Sequence, residues 1–264
     1  MSASAKEQIL VEKKDGVAWI TFNREDRFNA FDYETFGALR DAIEAAGYDP
    51  TIGVIVITGA GDKSFCAGGY LGDLQNFTVL QARKLYNISQ ELYQMMRKVP
   101  QPIIAAVNGY AIGGGNELVI CSDLAIASEH AKFGQTGPKV GSSPMYGGNN
   151  LLAMTIGEKR AREVCMLCRQ YTAQEAYEMG WINKVVPHHE LRAEVGRWAQ
   201  EILEKLPSYI EITKICSNVW WDSLTPTMEH AKQAMLRLAG GPEMTEGATA
   251  FMEKRKPNTQ QFRR

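Results

Sequence analysis

Two glycine-rich stretches and one carboxylate carry the clearest capacity for chemistry in this sequence. The first stretch is Phe65-Cys66-Ala67-Gly68-Gly69-Tyr70. The second is Gly109-Tyr110-Ala111-Ile112-Gly113-Gly114-Gly115, with Glu117 three residues after Gly114. Glycine lets a backbone approach a ligand closely and adopt torsions that turn an N–H into a cavity. A helix that starts at such a loop adds the positive end of its dipole. Two inward N–H groups from different loops would hold a developing oxyanion, each contributing roughly 3–4 kcal/mol to the transition state. The plainer reading of either loop is a tight turn with no ligand. Neither matches a nucleotide fingerprint: GxxxxGK[ST] is absent, and Gly109 to Gly113 lacks the GxGxxG spacing. Glu117 has a plain alternative too, as a carboxylate favoured by the dipole at a helix start.

Other chemistry-bearing residues are less telling. Tyr70, Tyr110 and Tyr146 stand in or beside the glycine-rich region and could donate hydrogen bonds, although packing is the commoner role. None of His130, His188, His189 and His230 falls in the glycine loops, and His188-His189 after Pro187 reads as an exposed turn. Asn149 and Asn150 could orient a water or cap the next helix. Cys165 and Cys168 form a CxxC inside a stretch that reads as helix. With no second Cys/His pair at ligand spacing, packed thiols are expected and a metal is not.

These groups need a scaffold, and the pattern supplies one. Residues 17–22 read as a strand, and Asp32 as the N-cap of a helix reaching Gly47, with Phe36, Leu39, Ile43 and Ala46 on one face. Residues 53–58 and 102–107 are β-branched or apolar runs that suit strands buried on both faces. Each is followed by a glycine loop and then a helix; the first of these helices spans about 80–98, and residues 124–127 add a further short strand. This rhythm predicts an α/β fold of βαβ-type turns with a mainly parallel sheet. After about residue 158 strand signal nearly vanishes, apart from 183–186, and helical periodicity dominates from Glu190. The division expected is a core over 1–190 and a helical C-terminal region over 191–264.

Composition bounds the function class. The chain has 264 residues, 45% hydrophobic and 22% charged, with formal net charge −1. That charge offers no broad field for nucleic acid, and five cysteines do not make a disulfide scaffold. Met1 to Gln8 is short and polar, unlike a signal peptide, and no apolar run approaches a membrane span. A cytoplasmic protein is expected. Basic residues gather at Glu253-Lys254-Arg255-Lys256-Pro257 and Arg263-Arg264, where a solvated tail is the plain reading.

Together, Phe65-Cys66-Ala67-Gly68-Gly69, the run Ala105 to Leu118, Cys121-Ser122-Asp123-Leu124 and Phe133-Gly134-Gln135 resemble the core of the crotonase (enoyl-CoA hydratase/isomerase) superfamily. The resemblance runs from about Val11 to Pro187, and 253–257 fits the family's closing helix. It implies a crotonase-type spiral of ββα turns, a homotrimer or homohexamer, and an acyl-CoA substrate with no separate cofactor. It implies that the Ala67 and Gly114 amides form the oxyanion hole and that Glu117 is catalytic. It also places Cys66, Gly68, Gly69, Tyr70, Tyr110, Gly113, Thr136, Ser142 and Tyr146 beside the substrate, with Lys254 near the CoA phosphates.

Family hydratases typically use two glutamates. The second position falls at Gly137, which carries no carboxyl group. The segments 135–142 and 168–176 look like naphthoyl-CoA synthases and alicyclic ring-cleaving acyl-CoA hydrolases. Pro144 and Ala239 stand where such a synthase would carry aspartate and tyrosine, whereas Glu117 with 141–148 is closer to the ring-cleaving hydrolases. The reaction expected is water addition to, or hydrolytic opening of, a cyclic or bulky enoyl- or β-ketoacyl-CoA. The alternatives are synthase-like ring closure, double-bond isomerisation, or a non-catalytic acyl-CoA-binding member.

Overall fold

The computed structural model describes residues 7–263. Met1 to Lys6 and Arg264, which belong to the polar N-terminal stretch and the basic C-terminal cluster, lie outside the described residues. The fold is α/β, and its repeating unit is two strands followed by helix. Strands β1 (Ile9–Lys14) and β2 (Val17–Phe22) form an antiparallel hairpin, followed by helix α1 (Tyr33–Gly47). Then come β3 (Val54–Gly59), β4 (Ser64–Cys66) and α2 (Val79–Lys98). The next turn is β5 (Ile103–Val107), β6 (Tyr110–Ile112) and α3 (Gly114–Cys121). The fourth is β7 (Leu124–Ser128) and β8 (Lys132–Gly134), leading to α4 (Leu151–Ile156) and α5 (Glu158–Leu167). The chain continues through β9 (Tyr171–Thr172), α6 (Ala173–Glu178) and β10 (Lys184–Val186). It ends with α7 (Leu191–Leu203), α8 (Pro207–Ser217), α9 (Val219–Leu238) and α10 (Pro242–Met252).

Both strands of the hairpin, the first strand of each later turn and β10 form a six-stranded sheet of order β1-β2-β3-β5-β7-β10. The second strand of each later turn joins β9 in a four-stranded sheet of order β4-β6-β8-β9. Neighbours from β2 through β10 in the large sheet are parallel, as are β4, β6 and β8 in the small one. Period-two alternation explains why the large sheet is apolar on both faces. Ile55 and Ile57 face the main core with Phe65, Ala111 and Phe133, whereas Val54, Val56, Ile104 and Ile126 face Leu191, Val195 and Ala199 of α7. Each fully buried side chain of this size contributes about 1.5–3 kcal/mol. The helical region expected from residue 191 therefore begins with a helix that covers the sheet.

Local signals set the helix ends. The Asp32 side chain accepts from the Thr35 amide at 2.9 Å, and Thr78 with Gln81 makes a capping box for α2. The four very short strands β4, β6, β8 and β9 are not legible as strands in the sequence, yet they aim the glycine loops. Asn108 clamps the first of these turns: its Nδ2 donates to the carbonyls of Gly59 and Gly61 at 3.0 and 2.7 Å. No helix among the described residues is long and apolar enough to cross a membrane.

Candidate active site

Parallel pairing of β4 with β6 brings the two glycine loops together at the C-terminal ends of those strands. A Cβ built on Gly115 would lie 1.9 Å from the Cys66 carbonyl oxygen, and one on Gly68 would lie 2.8 Å from the Ile112 carbonyl oxygen and 3.3 Å from the Gly114 nitrogen. Any side chain would force the loops apart. Gly68, at φ +90°, also has a torsion that L residues rarely adopt. Between these loops and the 135–146 segment lies a cleft open to solvent, lined by both glycine loops and by apolar side chains.

The structure corrects one assignment in the first loop. The Ala67 N–H does not face the cleft, because it donates to the Phe28 carbonyl at 3.1 Å. The 28–31 segment runs alongside the loop in a short parallel pairing, in which Phe31 N donates to Gly68 O and Tyr70 N to Phe31 O, both at 2.9 Å. In such a ladder the residue between the two bonded neighbours turns its own N–H to the other side. That residue is Gly69, and no acceptor for its N–H occurs among the described residues. Gly69 and Gly114 both line the cleft.

Gly114 opens α3, and the peptide groups around it are held on both sides. The Gly113 carbonyl accepts from the Glu117 amide at 3.0 Å and from Gln135 Nε2 at 3.3 Å. The Gly114 carbonyl accepts from the Tyr93 hydroxyl at 3.2 Å. Gly113 itself sits at φ 57°, ψ −123°, a conformation that only glycine adopts readily.

Glu117 lies one turn along α3, lines the same cleft and is 6% exposed. Its Oε1 accepts from the amides of Tyr146 at 2.7 Å and Gly148 at 3.2 Å. Burial pushes its carboxyl up to about 7, against the opposing pull of the Tyr146, Gly148 and Met145 amides. This leaves a carboxyl group able to take or give a proton near neutrality.

An aromatic row runs through the cleft wall. Phe31 stacks on Phe36 at 3.5 Å between ring centroids, Phe36 meets Tyr93 edge-on at 6.2 Å, and Tyr93 stacks on Tyr146 at 5.2 Å. The Tyr146 hydroxyl donates to the Tyr86 carbonyl at 2.5 Å. Leu71, Leu85, Val140, Met145 and Met244 add apolar surface.

Of the residues expected at the site, Ala67, Gly68, Gly69, Gly113, Gly114, Glu117, Thr136, Ser142 and Tyr146 line the cleft. Cys66 does not; it is fully buried in β4, and burial pushes its thiol up to about 12. Tyr70 turns away to stack under the Arg27 guanidinium at 4.6 Å. Tyr110 is exposed at the start of β6 and packs on Phe28. Lys254 is exposed beyond the end of α10 and is not part of the cleft wall. Gly137 does line the cleft, but a Cβ there would lie 2.9 Å from the Ser142 carbonyl oxygen, so a second carboxylate would require the loop to shift.

Sequence reasoning missed Tyr93, Gln135, Phe31 and Met244. Gln135 stood in a motif but had no role attached, while Met244 arrives from the far end of the chain with no local signal. His188, expected in an exposed turn, instead bridges Ser128 Oγ at 3.0 Å and Asp62 Oδ1 at 3.1 Å, outside the cleft.

Comparison with known proteins agrees with this fold. The enoyl-CoA hydratase/isomerase family model matches residues 12–262. An enoyl-CoA hydratase from Mycobacterium avium subsp. paratuberculosis K-10 is similar with a TM-score of 0.87 and 29% identity, covering 96% of this chain and 98% of that one. A carnitinyl-CoA hydratase from Mycobacterium avium is 31% identical with a TM-score of 0.84, covering 97% of this chain and 100% of that one. An enoyl-CoA hydratase from Bacillus anthracis is 31% identical with a TM-score of 0.79, covering 95% and 98%. With a ββα spiral, two glycine loops meeting at one cleft and a family match over nearly its whole length, this chain belongs to the enoyl-CoA hydratase/isomerase family of enzymes.

Proposed function

We propose that this enzyme adds water to a cyclic or otherwise bulky enoyl-CoA, with hydrolytic ring opening where the product permits it. The Gly69 and Gly114 amides hold the thioester oxygen, and Glu117 moves the proton. The observation that carries this reading is the buried Glu117 carboxyl, raised to about 7 and lining one cleft with two amides that have no acceptor among the described residues.

The steps balance with one carboxylate. Glu117 takes a proton from water as the hydroxyl oxygen bonds to the β-carbon. The electron pair of the C=C bond moves to give a thioester enolate, whose oxygen the two amides stabilise. The α-carbon then takes the proton back from Glu117, so H and OH have both been delivered and the carboxylate is restored. The lack of a carboxylate at Gly137 and the Phe31–Phe36–Tyr93–Tyr146 wall support a flat or bulky acyl group in preference to a thin polar one.

A single carboxylate also suits double-bond isomerisation, in which one base lifts a proton and returns it two carbons away. Incubation in heavy-oxygen water with crotonyl-CoA, a cyclohexene- or cyclohexadiene-carbonyl-CoA and an oxo-cyclohexene-carbonyl-CoA separates the readings. One heavy oxygen in a hydroxyacyl-CoA marks hydration, and one in a new carboxylate marks ring opening. A shifted double bond with no heavy oxygen marks isomerisation. Bound esters with none of these products would overturn the proposal for this substrate class.

The reading extends to assembly as a homotrimer or homohexamer. Tyr209, Ile212, Ile215, Val219 and Trp220 along α8 and the start of α9 are all exposed, an apolar row that a second copy of the chain would cover.

A further inference from the structure

The Gly113–Gly114 peptide is the part of the site most open to error. Its plane can rotate by a half-turn if ψ of Gly113 and φ of Gly114 change together, and glycine tolerates both changes. Because the trans peptide sets C=O and N–H in opposite directions, that rotation would present a carbonyl to the cleft where an N–H is required. A donor would become an acceptor aimed at a developing negative charge.

The Gly113 carbonyl, at the back of this peptide, has two partners. One is the amide of Glu117 at 3.0 Å, the first bond of α3. The other is Gln135 Nε2 at 3.3 Å. Gln135 is 1% exposed and lies just after β8, which pairs with β6 in parallel register at Ile112 and Gly134. The Gly113 amide also donates to Gly134 O at 2.9 Å, so the strand pairing delivers Gln135 to this carbonyl. On its other side Gln135 packs under Gly148: a Cβ built on Gly148 would meet Gln135 Nε2 at 2.7 Å. Gly148 is one of the residues whose amide holds the Glu117 carboxylate.

We infer that Gln135 is a positioning residue that locks the Gly113–Gly114 peptide with its N–H toward the substrate oxygen, and that ties this donor to the Glu117 carboxylate through Gly148. The inference rests on the amide-pair reading of the cleft. The first helical bond alone is weak protection, because the first turn of a helix is where hydrogen bonds fray. Gln135 fills the second lone pair of the same carbonyl from a different strand, so both bonds must break together for the peptide to turn over.

The test uses butyryl-CoA labelled with carbon-13 at the thioester carbonyl, a saturated ester that cannot add water. Isotope-edited infrared spectra read how strongly the protein pulls on that carbonyl. The wild-type protein should lower the stretch on binding. Gln135→Met keeps the size but removes the donor; it should lose at least half of that lowering while still binding the ester. With a turned-over substrate its kcat should fall about tenfold with little change in KM. Gln135→Glu places a carboxylate against the Gly113 carbonyl and should lose more of the lowering at pH 8. Measured against the wild type at each pH, because Glu117 titrates in the same cleft, it should regain it as pH falls and the new carboxyl group becomes a donor, a recovery that purely structural damage would not show. A wild-type stretch that does not move on binding would sink the amide-pair reading and this inference with it. A normal wild-type shift retained in full by both variants would overturn the role of Gln135 alone.

Discussion

The Tyr146 amide donates to Glu117 Oε1 at 2.7 Å, across 29 positions of sequence, and no basic side chain shares in holding that carboxylate among the described residues. A carboxylate steadied by amides and lacking a cation is caught between burial, which favours the neutral acid, and hydrogen bonds, which favour the anion. Burial prevails, and the group titrates at about 7. The base form needed to activate water therefore fills only as pH rises through this value. The kcat/KM against pH profile should show an acid limb near pH 7; a limb near 4 to 5 would contradict the assignment.

The same shift makes a stability prediction. Between the ordinary carboxylate value of 4.5 and about 7 the folded protein binds a proton that the unfolded chain has released. Stability contributed by the neutral acid is thus present at low pH and lost as pH rises through that window. Glu117→Gln, permanently neutral, should be more stable than wild type at pH 8 by about 3 kcal/mol at most, with the gap closing near pH 4.5. Turnover should fall by about 10²- to 10⁴-fold while acyl-CoA binding persists. Paired thermal melts and single-turnover assays check both halves.

Gly137→Glu would restore a carboxyl at the position where two-glutamate hydratases carry one. The Cβ would meet Ser142 O at 2.9 Å and the Ser143 Cα at 3.0 Å. We expect a loss of about 1–3 kcal/mol in folding stability and no gain in crotonyl-CoA hydration. A faster, fully stable variant would show that the loop yields more readily than its packing suggests.

Lys214 fixes the C-terminal helices to the core. Its ammonium, nearly fully buried, donates to the Gln101 carbonyl at 2.8 Å and pairs with Asp123 Oδ2 at 2.8 Å. Burial pulls its pKa down while Asp123 pulls it up. Lys214→Met would leave both acceptors without this partner and should cost about 2–4 kcal/mol by denaturant titration, somewhat less than a fully buried pair because Asp123 reaches solvent.

Ile215→Asp with Trp220→Asp would place charges on the exposed α8 and α9 row. If that row is the subunit contact, sedimentation should show a shift from trimer or hexamer to monomer. An unchanged large assembly would place the contact elsewhere.

What the sequence disclosed and what it withheld follow from the range of the interactions. Strands β2, β3 and β5 and helices α1 and α2 were readable because burial imposes local periodicity, and because Asp32 leaves a capping signature. The β4, β6, β8 and β9 strands, two or three residues each, are too short for any period; they exist only through pairing across the chain. The resemblance implied the Ala67 amide at the cleft, whereas the amide left without an acceptor in this loop is that of Gly69. The choice depends on the pairing of Phe31 with the loop, a contact that no local pattern encodes. Glu117 was legible by type and spacing, but its raised pKa was not, since its burial comes from residues 145–148. Tyr93 and Met244 reach the cleft from helices whose own patterns speak only of packing.

The contacts that hold Glu117 also fix when the site can exist. Glu117 leaves the ribosome well before Tyr146 and Gly148, which hold it, and far ahead of Met244, which completes the cleft wall. Until those segments arrive, the carboxylate is an ordinary solvated acid with nothing to tune it. A nascent chain halted between residues 117 and 148 would carry all three of Gly69, Gly114 and Glu117 and yet lack at least one of the amides that hold the carboxylate. The buried setting of this carboxylate is thus acquired late, when the chain closes over a residue made long before.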